Sequence, residues 1–427
     1  MYLKPDMEKW MDYKFGLFMH YGLYSVQGEG EWVMFEKPIA RDEYAKIADR
    51  FTAEKFDAKH LCDVAKRAGM KYVVLTARHH EGFCLWDSKC SIGDFTVMNT
   101  PAKRDLIREY TDACREAGLG VGLYYSPMDW RCEGFFFPLM YKESARQMRE
   151  QCHGQVRELM ENYGKIDMLW YDGGEDYWLA HSKYLNGGAP HTMREEPRIV
   201  GFWGEDELNE MARTLQPGIV INNRLGMRKH GDYQTPERKV GEFNVSRPWE
   251  TCDTLCESWG WTPGCRIRPM KEVIHLLTDV ITGGGNLLLN VGPMGDGSFQ
   301  KEHEERLLEI GAGLDKYGEA VYGTRGGPVK NNVKVGGAVW KDNIVYFHIK
   351  NPEVRRVKLP LTGLDSFNGK VSCLTGEEAC ASFENGVLSV SIGGPRNEVE
   401  TIVKIELPAR ADELTKGFDP EWFNAYE

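Results

Sequence analysis

Hydrophobic and polar positions along the chain fall into two textures. From residue 14 to about 292, short apolar runs rich in β-formers end in polar residues and are followed by segments with helical periodicity. The runs occupy 14–21 (KFGLFMHY), 72–78 (YVVLTAR), 120–127 (GVGLYYSP), 166–173 (IDMLWYDG), 219–224 (IVINNR) and 286–293 (NLLLNVGP), with 247–252 (RPWETC) a weaker member. Between them Leu61, Val64, Ala65 and Ala68 share one helix face, as do Leu106, Tyr110, Ala113 and Ala117, and Leu208, Met211, Ala212 and Leu215; Val273, Ile274, Leu277, Val280 and Ile281 repeat the pattern. Gly69, Gly118 and Gly164 stand just before the next apolar run, where a helix stops in left-handed backbone. Strand and helix in alternation predict a parallel sheet.

An open doubly wound sheet and a closed barrel both satisfy that alternation, and the strand ends choose between them. Six runs end in polar or aromatic residues: His20, His79 with His80, Tyr125, Asp172, Arg224 and Asn290. A barrel gathers all its strand ends around one pocket, whereas an open sheet uses chiefly its switch point. No GxGxxG follows the first strand, and the glycines of TGGGNLLLNVG precede a strand rather than open a helix, so dinucleotide binding is discarded. The expected architecture is a (β/α)8-like, TIM-type barrel, imperfect or not, over residues 1–325. After Tyr322 the texture changes to short alternating segments at 343–350, 355–361, 369–375, 386–392 and 400–407, which predict an antiparallel β-sandwich over 326–408 with the boundary at TRGGP (324–328). The remaining 409–427 holds Phe418, Trp422, Phe423 and Tyr426, too aromatic for a free end, and is expected to dock back onto the body.

Composition narrows the partners. Fifty-three Lys and Arg against 64 Asp and Glu leave a formal charge of −11, which argues against nucleic acid. A hydrophobic share of 42% rules out wholesale disorder. No window approaches the ~18 uninterrupted apolar residues of a membrane helix, and MYLKPDMEKW carries charge and a proline where a secretory signal needs an apolar run. The eleven cysteines are scattered without a CxxC pair and read as reduced core thiols, so a cytoplasmic location is expected.

Asp172 is the sharpest chemical signal. It ends the strand Ile166, Met168, Leu169, Trp170, Tyr171, where a carboxylate costs free energy unless it caps a helix, pairs with a cation or performs chemistry. Retaining glycoside hydrolysis needs a second carboxyl about 5–5.5 Å away. Glu205, Glu237, Glu242 and Glu250 are candidates that spacing does not separate. Glu237 sits in GDYQTPERK, which reads as a loop; its alternative role is a helix start capped by Thr235, but Gly241 soon interrupts any helix. His20, His79 and His80 raise a metal reading. Neighbouring side chains on a regular strand point to opposite faces, so His79 and His80 should not both turn inward, and neither HxH nor HExxH occurs. Hydrogen bonding to sugar hydroxyls suits them better. Trp32, Trp86, Trp130, Trp170, Trp203, Trp249, Trp259 and Trp261 near predicted loops and strand ends supply rings on which sugars stack, although part of that set belongs to the core.

Taken together these motifs resemble glycoside hydrolase family 29, the α-L-fucosidases, from about Trp10 to Thr324. WMDYKFGLFMHYGLYSV is similar to the family's opening strand, GMKYVVLTARHHEGFCLWDSK to its double-histidine motif, LWYDGG to its nucleophile motif, and GGNLLLNVGPMGDG with VYGT to its barrel-closing segment. The resemblance implies a retaining double displacement on terminal α-L-fucosides of an oligosaccharide or glycoconjugate, without metal or other cofactor. Asp172 would be the nucleophile. His20, Glu31, Trp32, His79, His80, Tyr125, Trp170 and Arg224 would contact the sugar, and Phe18 its methyl group. NNR followed by DYQTPE resembles members whose acid/base glutamate sits where Glu237 does. Tyr21 replaces the usual Trp, and RHHEGF the commoner KHHDGF. The rival readings keep the machinery on an α-L-galactoside, or make the chain a metal-dependent barrel hydrolase or a non-catalytic sugar binder.

Overall fold

The computed structural model describes residues 6–175, 178–179, 199–226, 231–417 and 425–427. Seven parallel strands, β1 (Phe15–Met19), β2 (Tyr72–Arg78), β3 (Gly120–Tyr125), β4 (Met168–Tyr171), β5 (Val220–Ile221), β6 (Glu250–Thr254) and β7 (Asn286–Asn290), form one sheet in the order β5-β4-β3-β2-β1-β7-β6. All seven residues of β2 are buried, as parallel strands covered on both faces require. Helices Ala58–Arg67 and Leu106–Ala117 cover the outside with the faces read from the sequence. Their starts are fixed by side chains: Asp57 accepts from the amides of Lys59 and His60, and Asp105 from that of Arg108.

The sheet curls into an imperfect barrel. Between its edge strands β5 and β6 runs the segment 232–238, joined to them by isolated parallel bridges, Asn222 to Tyr233, Gln234 to Trp249 and Glu237 to Cys252. Pro236 removes a donor and Arg238 has positive φ, so this segment closes the ring without a regular ladder. The loop expected at GDYQTPERK is therefore the irregular eighth stave.

Pleating divides the core. Phe18, Tyr72, Val74, Tyr124, Met168, Trp170, Val220, Cys252 and Leu288 form the barrel interior. Phe15, Leu17, Val73, Leu75, Tyr125, Leu169 and Tyr171 belong to the layer under the helices.

After helix Lys301–Tyr317 the chain forms two antiparallel sheets. β8 (Arg325–Gly326), β9 (Gly336–Lys341), β10 (Ile344–Ile349), β12 (Lys370–Cys373) and β15 (Thr401–Glu406) make one; β11 (Arg356–Pro360), β13 (Glu378–Glu384) and β14 (Val387–Gly393) make the other. Val345, Phe347, Leu359, Val390 and Val403 meet in the core between them. The pattern had revealed five of these eight strands; β8 is only a two-residue extension, and β9 and β13 were passed over. A buried His348 bonded to Glu400 and the Ala320 carbonyl ties the sandwich to the barrel, as does Thr278 donating to Glu400. Tyr426 bridges to Val357, so the chain end docks on the sandwich; Phe418, Trp422 and Phe423 lie outside the described residues.

The expectation of eleven reduced core thiols is corrected. Cys256 and Cys265 are paired in a disulfide, and both are partly exposed. Nine cysteines are free, six of them buried.

Candidate active site

The C-terminal ends of the strands surround a cavity of about 210 Å³ lined by Phe18, His20, Glu31, Trp32, His79, His80, Tyr124, Trp170, Asp172, Trp178, Arg224, Glu237, Cys252 and Trp259. Asp172 follows β4 directly, with Gly173 behind it at φ +72°, where a Cβ would meet the Met128 Cε at 2.1 Å. Only glycine lets the chain turn away there and leave the carboxylate facing the cavity. Asp172 Oδ2 accepts from the Tyr124 hydroxyl at 2.9 Å and lies 3.7 Å from His80 Nε2, while Oδ1 accepts from Arg224 Nη1 at 2.9 Å.

Arg224 organises both carboxylates. Its Nη1 lies 2.9 Å from Asp172 Oδ1 and 2.9 Å from Glu237 Oε2, so those oxygens are no further apart than twice that distance. That bound matches the ~5–5.5 Å of retaining pairs and falls short of the ~6.5–9.5 Å that inverting enzymes need for a water. Arg224 Nε donates to Thr235 Oγ1 at 2.8 Å, and the guanidinium lies 4.7 Å from the Trp170 ring centroid. Burial opposes its charge, but Asp172 and then Glu237 outweigh that and hold its pKa well above the usual value. Glu237 stands at the mouth with 41% of its side chain exposed. Beyond it a larger, mostly polar cleft of about 680 Å³ opens along Asn223, Gln234, Lys239, Glu242 and Asn244.

His20 and His80 act as neutral donors and acceptors. Asn290 Nδ2 donates to the Trp259 carbonyl at 2.7 Å, which turns its Oδ1 toward His20 Nδ1, also at 2.7 Å. His20 therefore carries its proton on Nδ1 and offers Nε2 as an acceptor. Burial, then the neighbouring His79, push its pKa well below the usual value. Burial does the same for His80, whose Nδ1 meets Ser126 Oγ at 2.6 Å. The fully buried Arg78 donates to the Met128 carbonyl and to Asp129, both at 2.7 Å, and so fixes the segment that presents Ser126. Glu31 Oε2 accepts from the Gly260 amide at 2.9 Å and from Ser258 Oγ at 3.2 Å. Trp32 meets Trp130 and Trp178 with ring centroids 5.1 and 5.7 Å away.

Ten of the eleven residues singled out in the sequence line this cavity, and two expectations about side-chain direction are corrected. Tyr125 does not reach it: its hydroxyl donates to Gln155 Oε1 at 2.9 Å in the layer under the helices. The register sets Tyr124 beside Trp170 and Tyr125 beside Tyr171, so Tyr124 shares the inward face of Trp170. His79 and His80 both line the cavity because β2 ends at Arg78, after a register irregularity at Thr76/Arg78, and strand alternation no longer applies. Trp178 and Cys252 also line the cavity without a signal in the sequence pattern, and Trp259 stands out there from a group of tryptophans that the pattern does not separate.

Of the alternative acids, Glu250 is fully buried one pleat below Cys252. It accepts from Trp170 Nε1 at 2.9 Å and from the Tyr72 hydroxyl. Glu205 opens the helix Glu205–Leu215, and Glu242 lines the outer cleft. Among the described residues, only Cys256, Cys265 and His303 bring three metal-ligand atoms within 4.8 Å of one another, and they lie outside the cavity. No helix among the described residues is long and apolar enough to cross a membrane.

Comparison with known proteins agrees with the geometry. The α-L-fucosidase family model matches residues 3–319. An α-L-fucosidase of Branchiostoma floridae is 31% identical over 375 residues, covering 80% of this chain and 78% of that protein. Human plasma α-L-fucosidase is 30% identical over 378 residues, with 80% and 75% covered. The structure of isoenzyme 1 from Paenibacillus thiaminolyticus superposes with a TM-score of 0.79 at 31% identity, covering 94% of this chain and 98% of that one. A Bacteroides thetaiotaomicron family 29 α-L-fucosidase, trapped as a covalent intermediate with 2-fluoro-fucosyl fluoride, superposes with a TM-score of 0.80 at 27% identity, covering 94% and 96%. The chain belongs to the α-L-fucosidases of glycoside hydrolase family 29.

Proposed function

We propose that this α-L-fucosidase removes terminal fucose from oligosaccharides or glycoconjugates with Asp172 as nucleophile and Glu237 as acid/base. The observation that carries the assignment is the single guanidinium nitrogen shared by the two carboxylates. Asp172 attacks the anomeric carbon while the glycosidic C–O bond breaks and Glu237 donates a proton to the leaving oxygen. Glu237 then takes a proton from water as that water opens the fucosyl ester, and Asp172 leaves with the bond electrons, so the anomeric configuration is retained. The Glu237 side chain is 41% exposed and paired with Arg224, so the bound glycan itself excludes water around it during proton transfer.

The remaining contacts fit one small sugar. His20 Nε2 accepts from a hydroxyl; His80 and Arg224 flank the nucleophile; Phe18, Trp170 and Trp259 give an apolar wall for the C6 methyl. Such a wall would discriminate weakly against the extra hydroxyl of an α-L-galactoside.

The test is nitrophenol release from p-nitrophenyl α-L-fucoside, beside the α-L-galactoside, with EDTA present. Asp172→Ala should abolish turnover. Glu237→Ala should lose roughly 10²–10⁴-fold on a natural glycan, less on the activated aryl fucoside, and recover rate with azide. Normal glycan turnover by Glu237→Ala would sink the acid/base assignment.

A further inference from the structure

Cys256 and Cys265 stand at the two stems of the loop that walls the sugar cavity. Cys256 follows β6 within two residues, Cys265 precedes helix Met270–Thr282, and their Cα atoms are 6.0 Å apart, within the disulfide range. The loop between them does three things at the site. The Trp259 ring stands 5.2 Å from His20 and 5.8 Å from Phe18, and its carbonyl holds Asn290, which sets the His20 tautomer. Ser258 and Gly260 hold Glu31. Trp261 Nε1 anchors to Gln300 Oε1 at 2.9 Å, one residue before the helix that carries His303.

We infer that Cys256 and Cys265 form a reversible redox cross-link that braces this loop and thereby sets the enzyme's affinity for fucose. Three observations converge on it. Both cysteines are partly exposed, so a small thiol or disulfide reaches them, whereas six of the nine free cysteines are buried. A chain with nine free thiols does not carry the disulfide framework of a small secreted domain, so this pair is not one staple among many. The buried His303 places Nε2 3.9 Å from Cys265 Sγ, with Nδ1 unpartnered, so an imidazole backs the pair.

Closure proceeds by thiol–disulfide exchange. One thiolate attacks a low-molecular-weight disulfide and expels one thiol; the second thiolate attacks the mixed disulfide and expels the other. The protein's two electrons pass to the external disulfide and its two thiol protons pass through solvent to the departing thiolates, so the external disulfide becomes two thiols. A dithiol reverses the sequence. In the open form the stems separate, and the order of Trp259 and of the Glu31 contacts must then be supplied by the sugar.

The link to sugar affinity rests on the fucosidase reading; the cross-link itself is read by mass and does not. Wild type and Cys256→Ser/Cys265→Ser would be equilibrated with oxidised glutathione or dithiothreitol, alkylated after denaturation and mapped by peptide mass. KM for p-nitrophenyl α-L-fucoside and inhibition by free L-fucose would be measured on the same samples. Expected are a 256–265 cross-link in oxidised wild type only, a KM and fucose inhibition constant raised about three- to tenfold on reduction with a smaller change in kcat, and recovery on reoxidation. The double variant should match reduced wild type in both buffers. Free thiols at both positions after oxidation would overturn the inference, as would equal KM in the two forms. Stoichiometric zinc bound by the reduced protein and lost in the double variant would replace the cross-link with a metal site on the same residues and His303.

Discussion

Glu250 offers a quantitative test of how the barrel floor is held. Burial is the main cause that pushes its pKa up from 4.5 to about 7, with the hydrogen bonds from Tyr72 and Trp170 working the other way. A carboxyl whose folded pKa is raised binds its proton more tightly in the native state than in the unfolded one. Its contribution is therefore fully present below pH 4.5 and is lost as pH rises through about 7. The shift corresponds to about 3 kcal/mol in full, of which roughly 2.5 kcal/mol falls between pH 5 and pH 9. Glu250→Gln removes the titration and keeps one acceptor oxygen for Trp170 or Tyr72. Denaturant unfolding of both proteins, followed by tryptophan fluorescence at about pH 5 and about pH 9, isolates the term, because every other group titrates alike in the two. The stability gap favouring wild type at the lower pH should shrink by roughly 2.5 kcal/mol at the higher. An unchanged gap would mean that Glu250 is not the buried, proton-binding floor of the site, and the inference from burial would fail.

The two adjacent tyrosines should separate cleanly. Tyr124→Phe removes a charge-assisted donor worth about 1.5–3 kcal/mol and should lower kcat/KM on p-nitrophenyl α-L-fucoside roughly ten- to hundredfold, while Tyr125→Phe should leave kcat/KM within about twofold; the reverse ranking would refute the register argument. Glu31→Ala strips the Gly260 amide of its buried acceptor, at a cost of about 1–3 kcal/mol, and should appear mainly as a KM raised about tenfold. Gly173→Ala forces a side chain onto positive φ and into Met128 and should lower kcat by more than about tenfold, with the Tm falling by a few degrees; activity kept at the wild-type level would show that Asp172 is not held by that turn.

What could be read from the sequence followed the range of the interactions involved. Alternation of strands and helices is local, so the barrel, its strand ends and the carboxylate after β4 were visible at once. Side-chain direction at a strand end depends on register with the neighbouring strand. In GVGLYYSP either tyrosine could close the run, and only the pairing of Tyr124 with Trp170 makes the first of them the inward one. The double histidine failed for the opposite reason: a correct rule for regular strands was carried two residues past the point where β2 stops. Segment 232–238 was opaque because Pro236 and the left-handed Arg238 make it read as a loop, although tertiary bridges use it to close the ring. The irregularity has a consequence for chemistry. A regular ladder would fix its side chains by the pleat, whereas an irregular stave lets Thr235 turn to hold Arg224 while Glu237, two residues on, reaches the same guanidinium from the mouth of the pocket. The acid/base candidate thus sits on a stave joined only by isolated bridges, and the nucleophile candidate directly after a four-residue strand buried throughout. That division suits their proposed tasks: Asp172 keeps one geometry through the reaction, while Glu237 serves first the leaving oxygen and then a water.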